Sequence, residues 1–221
     1  MFLWEKITFL GDSVVLLPMA FIIAVWLVGN GSRRLAIFWC ELLGVALFIV
    51  VASKIAFIGW GIGIQSLNFT GFSGHATRAI AVLPIVPFVL LQHARPQIRI
   101  SATLAAIFLA ILICVSRVAV GAHSVSEVIA GAALGGLVGI IFVRLARGNL
   151  PPIRHRWLIA LSLLSMLGTS HAEPAPTHRW MVGMALYLSG HDRPYDRSYW
   201  NTRTCETEQA GNMRHHFMIA V

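Results

Sequence analysis

His123 and Glu127 stand four residues apart, the spacing that puts two side chains on one face of a helix. A carboxylate in that position holds one imidazole nitrogen as N–H and leaves the other with its lone pair free to attack an electrophile. Arg117, just upstream, offers a planar fork suited to phosphate oxygens. A second cluster, Ser73-Gly74-His75, opens an apolar run, where unpaired backbone N–H groups and the helix dipole favour an anion. Gly74 permits close backbone approach and His75 adds a proton donor. Lys54, one of only two lysines in the chain, completes a cationic set. Together these residues are the parts for phosphoryl transfer from a lipid.

The elements that must position them are apolar. The chain has 221 residues, 57% hydrophobic and 12% charged, with a mean hydropathy of +0.75, far from the mixture of a soluble globular domain. From Ser13 to Ala172 the only acidic residues are Glu41 and Glu127. Polar groups kept in such a sequence are candidate functional groups. A membrane span needs about 20 apolar residues. Runs near that length occur at about Ser13–Val28, Leu35–Ala56, Ala76–Leu91, Ser101–Val118 and Val125–Val143, with a shorter one at Trp157–Leu167. The expected fold is an all-α polytopic membrane helical bundle of about six transmembrane helices. Within it, the small-residue stretch Ala130–Gly139 reads as a helix-packing face.

The net charge of +8 does not mark a nucleic-acid binder, because the arginines fall at span ends and form no patch with interleaved aromatics. Arg33, Arg34, Arg95, Arg99, Arg144, Arg147, Arg154 and Arg156 all fall on one membrane side, which the positive-inside rule makes cytoplasmic. The Lys54–His75 and Arg117–His123 connections then face outward, together with every residue of the suspected site. Trp4, Trp26, Trp39, Trp60 and Trp157 read as interfacial belt residues. Cys40, Cys114 and Cys205 give neither a metal spacing nor a disulfide framework. A zinc reading of His75, His123 and Glu127 is disfavoured, since Arg117 and Lys54 would repel a cation.

The constellation resembles the type 2 phosphatidic acid phosphatase (PAP2) superfamily of integral membrane phosphatases. The family pattern is a lysine, six residues and Arg-Pro; then Pro-Ser-Gly-His; then Ser-Arg, five residues, His, three residues, Asp. Ser116, Arg117 and His123 meet the third element with both spacings intact, and Glu127 stands at the aspartate position. Ser73, Gly74 and His75 meet the second, with Phe72 in place of proline. Lys54 begins the first, but Gly61 and Ile62 occupy the Arg-Pro positions. Arg78, three residues after His75 on the same helix face, is the expected substitute for the missing charge.

The resemblance implies that His123 is the nucleophile, Glu127 orients it, and His75 protonates the leaving oxygen and then activates water. Lys54, Ser73, Gly74, Arg117 and Arg78 would hold the phosphoryl oxygens, with no metal or other cofactor. The implied partners are a lipid phosphate substrate and the surrounding membrane lipids, in the inner membrane with the site facing the periplasm or cell exterior. A phosphotransferase using the same site and a non-catalytic membrane protein or transporter keeping the fold are the alternatives. The extra methylene of Glu127 calls for an adjusted helix or rotamer.

The expected organisation is an interfacial N-terminal helix over 1–12, a six-span catalytic membrane domain over 13–170 and a polar C-terminal tail over 171–221, on the periplasmic side. The Gly59–Gly74 connection, rich in Gly and Asn, reads as a loop folded over the site. Trp180–Leu188 is too short to cross and fits an interfacial segment or a strand. The tail histidines His171, His178, His191, His215 and His216 have no ligand spacing. The sequence leaves the oligomeric state open.

Overall fold

The computed structural model describes residues 2–148, 150 and 177–200. The short run Trp157–Leu167, with Arg154 and Arg156, lies outside the described residues, as do Cys205 and the chain beyond Trp200. Among the described residues there is no strand; the fold is helical, with one isolated antiparallel bridge between Ile64 and Phe69.

Helix α1 (Phe2–Leu10) turns at Gly11 into α2 (Ser13–Gly29), whose N-cap Asp12 accepts from Val14 N at 3.0 Å. Together Trp4–Gly29 is long and apolar enough to cross a membrane, as are α3 (Arg33–Trp60), α6 (Pro96–Ala119) and α7 (Val125–Ala146). The third apolar run is shorter. It forms α4 (Gly74–Val82) and α5 (Ile85–Leu90), broken where Pro84, lacking an N–H, cannot continue the ladder. Helix α8 (Thr177–Ser189) answers the ambiguity at Trp180–Leu188: it is helical and packs along the C-terminal half of α3, with Ala185 buried over Phe57, Ile58 and Gly59.

Helices α4 and α7 make the closest pairing. A Cβ on Gly131 would lie 2.6 Å from the Ser73 carbonyl oxygen, and one on Gly135 would lie 2.3 Å from that of Thr77. Only the hydrogen side chain lets the two backbones approach so far, the packing expected of the Ala130–Gly139 stretch. At the other end of the bundle, Trp26 and Trp39 are fully buried instead of lying in an interfacial belt. Trp39 donates its indole N–H to Ala20 O at 2.9 Å and meets Phe142 edge-on, so its polar atom is satisfied inside the protein.

Candidate active site

Local structure at the start of α7 fixes the histidine and carboxylate. Ser124 is the N-cap, its Oγ accepting from Glu127 N at 3.3 Å while Glu127 Oε2 accepts from Ser124 N at 3.2 Å, a complete capping box. The same Oε2 accepts a hydrogen bond of 2.7 Å from His123 Nδ1. The extra methylene of Glu127 is thus taken up by reaching back over the helix end. With Nδ1 as donor, Nε2 carries the lone pair. His123 is set against Arg117 by the α6–α7 turn, in which the Arg117 carbonyl accepts from both Ala122 N and His123 N and Gly121 adopts a left-handed conformation.

Glu127 is fully buried, and its other oxygen is also occupied. Thr70 supplies both its backbone N–H, at 2.8 Å, and its hydroxyl to Oε1. Ser126 Oγ donates to Leu67 O, so the Gln65–Thr70 loop is tied down over the start of α7, as the sequence anticipated. Thr70 itself was not singled out from the sequence, because nothing in its neighbourhood marks a partner 57 residues away.

Ser73 is fully buried at the N-cap of α4, yet its side chain does not cap the helix. Its backbone N–H goes to the Glu127 carbonyl at 3.1 Å, joining the two clusters of the sequence directly. In the first turn of α4, His75 Nε2 lies 3.6 Å from Asp12 Oδ2, and one turn on Arg78 lies beside Gly74. Asp12 reads locally as a turn and cap residue; its second contact appears only when α1 and α2 fold against α4 and α6. Thr8 and Ser116, whose hydroxyls are 2.7 Å apart, fasten that N-terminal segment to α6.

Lys54, Gly74, His75, Arg78, Arg117, His123 and Glu127 line one cavity of about 500 Å³. Of the sequence-predicted residues only Ser73 lies behind its lining. Among the described residues, the buried side-chain donors without a hydrogen-bond partner are Trp26 Nε1, away from this cavity, and Ser73 Oγ, Arg78 Nε and Arg117 Nε, at or just behind its lining. Buried donors are ordinarily paired, so three of them around one cavity are poised for an acceptor from outside. Burial lowers the His123 pKa below the ordinary imidazole value, and Lys54 and Arg117 add to this against the opposing pull of Glu127. These effects favour the neutral imidazole at His123. Val50, Val51, Phe57 and Ile58 of α3 and Met181 of α8 form an apolar wall to the same cavity.

Tyr195, Asp196 and Arg197 of the C-terminal segment also enter the cavity lining, Arg197 with Nη2 2.9 Å from Glu127 Oε2. Sequence reading placed them in a polar tail, because no periodicity connects them to the clusters they join.

A family model described as the PAP2 superfamily matches residues 62–151. A Klebsiella pneumoniae protein described as "Uncharacterized 22.5 kDa protein in cps region" is 36% identical over 200 residues, covering 88% of this chain and 96% of its own length. No solved structure matches.

Proposed function

We propose, because this chain belongs to the PAP2 superfamily, that it is a membrane phosphatase that removes phosphate from a lipid phosphomonoester or pyrophosphate through a phosphohistidine. The observation that carries this reading is the convergence of unpartnered buried donors and a neutral histidine on one cavity with an apolar wall. The donors suit a phosphoryl group, and the wall suits the chain attached to it.

In the proposed reaction His123 Nε2 attacks the terminal phosphorus in line with the oxygen that joins it to the rest of the substrate, the lipid alcohol in a monoester and the lipid monophosphate in a pyrophosphate. The P–N bond forms as the P–O bond to that leaving group breaks, and His75, oriented by Asp12, gives its proton to the departing oxygen. Water then attacks the phosphohistidine and returns a proton to His75; the P–N bond breaks and inorganic phosphate leaves. Lys54, Arg78, Arg117, Ser73 Oγ and the Gly74 amide hold the equatorial oxygens, where charge stabilisation and positioning supply most of the rate. Glu127 keeps the imidazole in the reactive tautomer and stabilises its positive charge.

Undecaprenyl pyrophosphate, phosphatidate, phosphatidylglycerophosphate and a lipid A phosphate all present the required headgroup and chain. The test is phosphate release from such a panel by the full-length protein in detergent with chelator present, beside His123→Ala. We expect release from at least one lipid that survives chelation and is abolished in the variant. Transfer to an acceptor lipid without free phosphate, or no release by a folded sample, would overturn the hydrolase reading.

A further inference from the structure

We infer that Arg197, carried by the C-terminal segment, is a further phosphoryl-binding residue of this site, presented by a strap that rests on the end of α3. The inference deepens the phosphatase reading and rests on it.

The strap is anchored on both sides of Arg197. Before it, Tyr195 N donates to Ile58 O at 2.9 Å, and the Tyr195 ring covers Gly61, where a Cβ would lie 3.2 Å from Cδ1. Gly61 is the left-handed C-cap of α3. A side chain there would be strained and would displace the ring, so the glycine at this position makes the seat for the strap. After Arg197, the Trp200 ring meets Phe57 edge-on at 5.3 Å, and its carbonyl accepts from Gln65 Nε2 at 3.3 Å.

Between these anchors the guanidinium reaches Glu127, and hydrogen-bond satisfaction does not account for its presence. Oε1 already accepts from Thr70 N and Oγ1, and Oε2 from His123 Nδ1 and Ser124 N. Four donors fill the roughly four lone-pair sites of a carboxylate, so Arg197 is a surplus fifth. Its side chain is 39% exposed, which screens the ion pair and makes it a weak structural fastening. Asp196 lines the same wall but accepts from Ser198 N and Oγ; what Arg197 adds beside it is a positive charge and a planar fork of which only Nη2 is engaged by Glu127. Its remaining N–H groups are available to phosphoryl oxygens while the anchors at Tyr195 and Trp200 keep the segment that carries the fork at the cavity.

The experiment titrates inorganic phosphate at constant ionic strength against full-length protein in detergent, reading thermal protection. KM and kcat for the best lipid phosphate are measured on the same samples. Arg197→Gln is expected to need about tenfold more phosphate for equal protection, the loss of one charge-assisted hydrogen bond, with KM rising in proportion and kcat changing less. Arg197→Lys should fall between the two, since an ammonium keeps the charge but not the fork. Tyr195→Ala, which loosens the strap without touching the guanidinium, should shift affinity in the same direction, and it decides the matter should Arg197→Gln not fold. A parent that releases phosphate, with Arg197→Gln and Tyr195→Ala binding phosphate as tightly as the parent does, overturns the assignment of Arg197 alone. A folded parent that neither releases phosphate from any lipid nor is protected by inorganic phosphate overturns the phosphatase reading together with it.

Discussion

At the scale of single residues the chemistry turns on one carboxylate serving two masters. Glu127 closes the α7 capping box and fixes the His123 tautomer with the same oxygen. Glu127→Gln keeps the shape but sets an amide N–H₂ against donors at one end or the other. We expect a loss of about 2–4 kcal/mol in thermal or denaturant melts. We also expect a fall in phosphate release of roughly 10³-fold, because a histidine facing an amide donor moves its proton to Nε2 and loses the attacking lone pair. Release within tenfold of the parent would show that the tautomer is set elsewhere. A second expectation concerns pH. Burial and the neighbouring cations hold the free His123 below its ordinary value, so it stays neutral and reactive into mildly acidic solution. The acid limb of kcat/KM should therefore lie below about pH 6.5. A limb centred above that value would mean that Glu127 outweighs burial. The histidine–carboxylate pair was legible in the sequence from spacing alone, and the capping box was there to be read in Ser124 and Glu127. Thr70, Asp12 and Arg197 were not, since each reaches its partner across a fold that no local pattern specifies.

At the scale of elements, the two halves of the site are held in register by the crossing of α4 and α7. Ser73 and His75 ride on one helix and Glu127 on the other, with glycines where the backbones touch. Gly135→Ala or Gly131→Ala must push the helices apart against backbone atoms, for which we expect about 1–3 kcal/mol of destabilisation and a disproportionate loss of phosphate release as Ser73 and His75 move off Glu127. Gly139, whose nearest neighbour would be Ile80 O at 3.9 Å, is the control. Alanine there should melt at or above the parent temperature, since it is the better helix former. Equal behaviour of all three variants would deny the crossing its role. This packing face was legible from the small-residue run, as were the apolar runs that became α2, α3, α6 and α7. The break between α4 and α5 follows from Pro84, whereas the burial of Trp26 and Trp39 was hidden, because a tryptophan near a span end looks the same whether it meets lipid or a neighbouring helix.

At the scale of the whole molecule, the helices alternate so that two chemically different ends result. One end gathers Arg33 and Arg34 beside Leu145, and Arg99 beside Arg144 and Arg147. The other holds the C-terminal end of α3, the start of α4, the α6–α7 turn and the strap, and with them the whole site. By the positive-inside rule we expect the arginine end to face the cytoplasm and the site to face outward, toward lipids whose headgroups are exposed on the far leaflet. Cysteine accessibility tests this, in a background with Cys40, Cys114 and Cys205 changed to serine. Ser66→Cys, exposed in the loop over the site, should react with a membrane-impermeant maleimide on intact spheroplasts. His93→Cys, exposed in the α5–α6 connection, should react only after permeabilisation. The opposite pattern would place the site in the cytoplasm and change the pool of lipid phosphates it meets, while leaving the chemistry of His123 untouched. Labelling therefore separates the orientation from the mechanism, which phosphate release alone does not do.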